Sequence, residues 1–217
     1  MNYIENVYIC LAAPLIVAII CLGKNRKRLM IFFLLGMTAC ILSSYISTFF
    51  AISYGADRLA ASVEIAPTIE EVMKLFPVIF YLLVFEPKKD AAVGCSIVTS
   101  VGFATFENVC YLMENDASEV IHLLIRGFGT GAMHVITGVI VSIGLLYLWD
   151  KEWLRVAGVI ALLCMSTLYH AIYNILVSQT GRVAFVGYSV PMITTLMIVI
   201  FKNRILTVLD GKKKDHK

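Results

Sequence analysis

Ile65-Ala-Pro-Thr-Ile-Glu70-Glu71-Val-Met-Lys74-Leu-Phe-Pro77-Val-Ile-Phe-Tyr-Leu-Leu-Val-Phe85 is the stretch on which the fold turns. Its length and apolarity fit one crossing of a bilayer, which takes about 20 residues. Inside that apolar run stand Glu70, Glu71 and Lys74. An ionisable side chain at the bilayer centre costs about 2.5–3.5 kcal/mol on insertion scales. Such groups therefore face a protein interior or a wet cavity, and they mark function. The segment reads as a membrane helix that carries a site.

The rest of the chain agrees. Of 217 residues, 59% are hydrophobic and 15% charged, and the mean hydropathy is +0.85. Soluble domains sit near 45–50% apolar and about 25% charged. The composition predicts an all-α, polytopic membrane bundle of about seven spans: 8–23, 29–52, 65–85, 91–113, 120–149, 153–178 and 183–201. It is a single membrane domain over 1–217, with its polar motifs confined to 65–178. No connection is long enough for a soluble domain, and nothing points to nucleic acid. Cys10, Cys21, Cys40, Cys95, Cys110 and Cys164 all lie in apolar runs without a CxxC pair, which reads as packing instead of a disulfide framework.

Charge sets the expected orientation. Lys24, Arg26, Lys27, Arg28, Lys88, Lys89, Lys151, Arg155, Lys202, Arg204, Lys212, Lys213, Lys214 and Lys217 follow the odd-numbered spans. The opposite connections hold only Arg58 and Arg182, with Glu114, Asp116 and Glu119 on that side. By the positive-inside rule the N-terminus is outside and the C-terminus cytoplasmic. The run 120–149 is too long for one span. Arg126 and the Gly127–Gly131 stretch are expected to interrupt it, with the span proper starting near Gly127. Arg126 itself reads as an interfacial anchor or a partner of Glu114, Asp116 or Glu119. The first run lacks a basic leader, so no cleavable signal is expected.

At 1.5 Å per residue, Glu70 and Glu71 lie roughly 8–9 Å below the outer boundary, as do Glu107 and Asn108. His134 falls at about 10 Å and His170 at about 12 Å. Four helices thus carry polar groups into one layer in the outer third of the membrane. The pairs Glu70/Lys74, Glu107/Tyr111, His134/Gly138 and His170/Asn174 are spaced i,i+4, so each shares a helix face. Glu71 and Lys74, at i,i+3, can also pair. Carboxylates, imidazoles, an amide and a phenol in one buried layer can activate water and hold a developing oxyanion. Two imidazoles and a carboxylate are equally a zinc ligand set with one position left for water, although HExxH is absent.

Glu70-Glu71-x-x-Lys74, Phe106-Glu107-Asn108-x-x-Tyr111, His134-x-x-x-Gly138 and His170-x-x-x-Asn174, in that order, resemble the four motifs of the PrsW family of intramembrane proteases. That family lies within the superfamily of CAAX-processing and bacteriocin-immunity membrane peptidases. The resemblance runs from Glu70 to Asn174. It implies a multi-pass protein of the bacterial plasma membrane that makes the first, extracytoplasmic-side cut in a single-pass anti-sigma factor during a stress response. By motif, Glu70, Glu71, His134, His170 and Asn174 would be catalytic, Asn174 assisting His170. Lys74, Glu107, Asn108 and Tyr111 would support the site or contact substrate. Metal-free, glutamate-activated water is the favoured chemistry; zinc on Glu71, His134 and His170 is the alternative. Two rival functions remain open, a proton- or ion-coupled transporter and an immunity protein that binds a peptide without cutting it.

Overall fold

A computed structural model describes residues 4–85, 89–114, 120–149 and 151–214. Lys88, Asp116, Glu119 and Lys217 of the charge pattern lie outside these. The described residues form helices α1 (Ile4–Cys21), α2 (Lys24–Tyr54), α3 (Arg58–Ala60), a π-helical turn (Ala61–Ile65), α4 (Ala66–Phe85), α5 (Lys89–Glu114), α6 (Val120–Leu148), α7 (Glu152–Val177) and α8 (Arg182–Lys214), with no strand among them. Among the described residues, six helices are long and apolar enough to cross a membrane: α1, α2 and α5–α8. Helix α4, at 20 residues, spans about 30 Å but is set apart by its three charges. The expected all-helical membrane bundle is therefore present.

Packing of α2 on α5 is the closest in the bundle. A Cβ on Gly36 would lie 2.0 Å from the Thr99 carbonyl oxygen, and one on Gly102 would lie 2.1 Å from that of Phe33. Backbone meets backbone there, which is how membrane helices associate when hydrophobicity gives no net preference for helix over lipid. Phe103 and Phe106 then insert beside Met37 and Cys40. Gly102→Leu should force the two helices apart at a cost of about 1–3 kcal/mol. The expected result is a lowered melting temperature and reduced accumulation in the membrane, read by a thermal-shift assay on the purified protein.

A second apolar cluster joins Leu75, Val78 and Leu82 of α4 to Ala92 of α5 and to Val141 and Leu145 of α6. Between it and the α2–α5 cluster the interior is polar. Helices α1 and α8 are peripheral, with most of their apolar side chains facing outward.

The run 120–149 departs from expectation. Arg126 and the glycines do not break it, and α6 is one continuous helix of 29 residues. Each glycine costs a helix only about 1 kcal/mol, and here they admit neighbours. Tyr188 of α8 sits against Gly129, and Ser100 of α5 against Gly138.

At the top of α4 the chain reverses sharply. Gly55 ends α2 with φ at +63°, its N–H on the Ala51 and Ile52 carbonyls, in the left-handed C-cap that glycine adopts without strain. Asp57 then caps the next turn, accepting from the Ala60 N–H at 2.7 Å. The π-turn that follows leads directly into α4.

Candidate active site

Helix α4 turns Glu71 and Lys74 into the bundle; they are 3% and 5% exposed. The two pair at 2.7 Å between Lys74 Nζ and Glu71 Oε1. The i,i+3 spacing puts them on one face. Lys74 Nζ also reaches His134 Nδ1 at 3.0 Å and Thr137 Oγ1 at 2.9 Å, both on α6. Its three partners match the three donors of an ammonium group. Thr137 donates its own hydroxyl to the His134 carbonyl at 2.9 Å, so its oxygen is free to accept.

That bond decides the tautomer of His134. Lysine has only donors, so Nδ1 must accept and Nε2 carries the proton. Nε2 then donates to Glu107 Oε2 of α5 at 2.5 Å. Across the site, His170 of α7 donates from Nδ1 to Glu71 Oε1 at 2.9 Å and turns Nε2 toward Glu70 Oε2 at 3.7 Å. The two imidazole rings meet edge to face with centroids 5.0 Å apart. Four helices that the depth estimate placed in one layer thus deliver Glu70, Glu71, Lys74, Glu107, His134 and His170 to one cluster.

Arg126 belongs to this cluster, contrary to its reading as an interfacial anchor or a partner of Glu114. Its guanidinium donates to Asn108 Oδ1, pairs with Glu107 Oε1 at 3.5 Å and lies 3.6 Å from the centroid of the Tyr111 ring. Continuity of α6 is the reason: with no break at Gly127, Arg126 stays on the face that packs against α5. Asn108 and Tyr111 therefore brace Arg126, which in turn braces Glu107. Asn174 also differs from expectation. Its Nδ2 donates to the Ser62 carbonyl of the π-turn at 2.8 Å, so its observed bond ties α7 to the start of α4 and does not go to His170.

The charges do not balance within the cluster. Lys74 neutralises Glu71 and Arg126 neutralises Glu107. Glu70 is left over, and its buried Oε2 has no hydrogen-bond partner. An uncompensated buried carboxylate is costly, and such groups are usually paired or coordinate a metal. Glu70, His134 and His170 each offer a ligand atom, all within 4.8 Å of one another. A tetrahedral zinc with bonds of about 2.0–2.1 Å sets its ligand atoms about 3.4 Å apart, so shifts of about 1 Å would complete the set. The donor set fits a metal on one condition: His134 ligates through Nε2 only when that atom gives up its bond to Glu107 and the ring proton moves to Nδ1, with the Lys74 ammonium turned away from it. This group differs from the expected Glu71, His134 and His170 in its carboxylate: Glu71 is engaged by Lys74 and His170, whereas Glu70 lies beside the two imidazoles.

A polytopic helical bundle that buries carboxylates and imidazoles in one polar layer has the groups an intramembrane hydrolase needs. The family comparison makes the class specific: the model of the PrsW family of intramembrane metalloproteases matches residues 24–202. The chain belongs to this family, and it is a multi-pass intramembrane peptidase of the cell membrane that acts on membrane proteins. No curated protein and no solved structure matches it.

Proposed function

We propose that the cluster of Glu70, Glu71, Glu107, His134 and His170 is the catalytic centre. In this reading it hydrolyses a peptide bond of a membrane-spanning protein near the extracytoplasmic side. The observation that carries the reading is the convergence of the two glutamates of α4 with imidazoles from α6 and α7 in one buried site. With seven spans, α4 among them, and the N-terminus outside, that site would lie in the outer part of the membrane; the charge distribution supports this orientation. The resemblance of the four motifs further points to a single-pass anti-sigma factor as the substrate and to a stress response as the setting.

Glu70, His134 and His170 are the residues that would hold zinc, and the buried Glu70 Oε2, which has no hydrogen-bond partner, makes this a better reading than a metal-free site. When bound there, the ion would supply Lewis-acid polarisation of the scissile carbonyl and a water of lowered pKa. The chain's own groups do the rest. Glu71 takes the Nδ1 proton of His170 in a hydrogen bond and so fixes its ring, the arrangement that orients metal-binding histidines. Glu107, with a side chain 29% exposed, is the most open carboxylate of the cluster. It accepts a proton from attacking water and is held in place by Arg126. Lys74 offsets the charge of Glu71.

Co-expression with a tagged single-pass membrane protein tests the assignment. Glu107→Gln should lower cleavage by about 10²–10⁴-fold, the range of a lost general base, while the variant accumulates and melts like the parent. Undiminished cleavage by this variant would remove Glu107 from the mechanism. A solute or proton flux in proteoliposomes abolished by the same change would favour the transporter reading.

A further inference from the structure

We propose that the groove above α4, between the end of α2, the π-turn and the end of α5, binds an extended segment of the substrate polypeptide and feeds it to the cluster below. The proposal rests on the peptidase reading and names the docking site for that reaction. The cavity has a volume of about 630 Å³, within the range of about 300–1,000 Å³ typical of ligand sites. Ser47, Thr48 and Ala51 of α2 form one wall, Ser62 and Ala66 the floor, and Glu114 of α5 the far side.

Continuity with the cluster is the first support. Ala66 stands one helical turn before Glu70, a rise of about 6 Å. Ser62 is bonded to Asn174, which stands one turn beyond His170. A chain lying in the groove is therefore one turn from the catalytic carboxylates. The floor is π-helical at Ala61–Ile65, and such turns recur at functional sites.

Ser47 is the second support. On the same helix Thr38, Ser43 and Ser53 each donate to a carbonyl of their own preceding turn. Ser47 does not, and its hydroxyl is buried without a partner on the groove wall. An unsatisfied buried hydroxyl costs about 1–3 kcal/mol, which a rotation about the Ser47 χ1 toward the groove would let a peptide N–H or C=O recover. The lining chemistry selects the occupant. It combines hydroxyls, one cation (Arg58), one anion (Glu114) and small side chains, and no ion pair joins Arg58 to Glu114. That mixture suits a neutral peptide backbone with a polar side chain. An anionic lipid headgroup would meet the Glu114 carboxylate.

The test uses the full chain in phosphatidylcholine nanodiscs, with unlabelled β-casein as a disordered polypeptide probe. Cys10, Cys21 and Cys164 are replaced by serine, and Thr48→Cys is introduced as the reporter. Casein at about ten times its Kd should slow maleimide labelling of the reporter by about tenfold. Ala51→Trp should raise the KM for casein cleavage about tenfold with kcat unchanged, the mark of lost uniform binding. Ser47→Ala should raise KM about fivefold without lowering the melting temperature, a split that a purely structural serine would not show. Labelling that casein does not slow would overturn the proposal, and so would protection that follows added phosphatidylglycerol instead of casein. Protection without cleavage would sink the peptidase reading and leave the groove as a polypeptide-binding site.

Discussion

His170→Ala will strip the protein of bound zinc and lower peptide-bond hydrolysis by about 10³-fold or more, since it removes one of three ligands and with it the Lewis acid. Glu70→Gln should do the same, whereas Glu71→Gln should weaken metal affinity by only about 10–100-fold, the effect of losing an outer-shell partner. The contrast follows from geometry. Glu70 Oε2 is buried with no partner and faces His170 Nε2, whereas Glu71 Oε1 is taken by Lys74 and by His170 Nδ1. Elemental analysis of the purified protein reads the metal directly, without a substrate. Parent protein that carries no zinc and still cleaves in the presence of a chelator would defeat the ligand assignment. Loss of zinc from Glu71→Gln but not from Glu70→Gln would restore the ligand set expected from sequence.

Lys74→Met should be the most destabilising single change in the polar layer. It leaves Glu71 buried without a counter-charge, and breaking a buried pair from one side costs about 3–5 kcal/mol. It also orphans Thr137 Oγ1 and His134 Nδ1. The double change Lys74→Met with Glu71→Leu should recover much of that stability, because replacing both ions with apolar side chains is often neutral. Activity should not return with it, since His170 would still lack the carboxylate that fixes its ring. Thermal melts of the single and double variants, set beside cleavage rates, separate the two roles. A single variant that melts like the parent would show that the Lys74 network contributes little to folding.

The six membrane-length helices and the shared layer were legible along the chain for a simple reason. Hydrocarbon thickness fixes helix length, and rise per residue converts position into depth. Helix-by-helix depth thus brought Glu71, Glu107, His134 and His170 to the same level. The i,i+3 partnership of Glu71 with Lys74 was equally local and equally readable. Rotation about each helix axis was not. Glu70 and Glu71 are neighbours in sequence yet point about 100° apart on a helix of 3.6 residues per turn. Which of them meets a metal and which orients His170 depends on how α4 packs against α6 and α7.

Long-range partners escaped for the same reason. Thr137 carries no motif; only α6 lying across α4 makes it an acceptor for Lys74. Arg126 looked like an anchor because glycines follow it, and it entered the site because packing against α5 and α8 kept α6 unbroken. Asn174 shares a face with His170 but found the Ser62 carbonyl, 112 residues away, once the π-turn settled over α7. The sequence by itself determined that this chain is a membrane bundle with a polar layer at one depth, because solvation by lipid penalises every misplaced charge. Only the tertiary structure decided who pairs with whom inside that layer, because hydrogen bonds act over about 3 Å and depend on helix rotation.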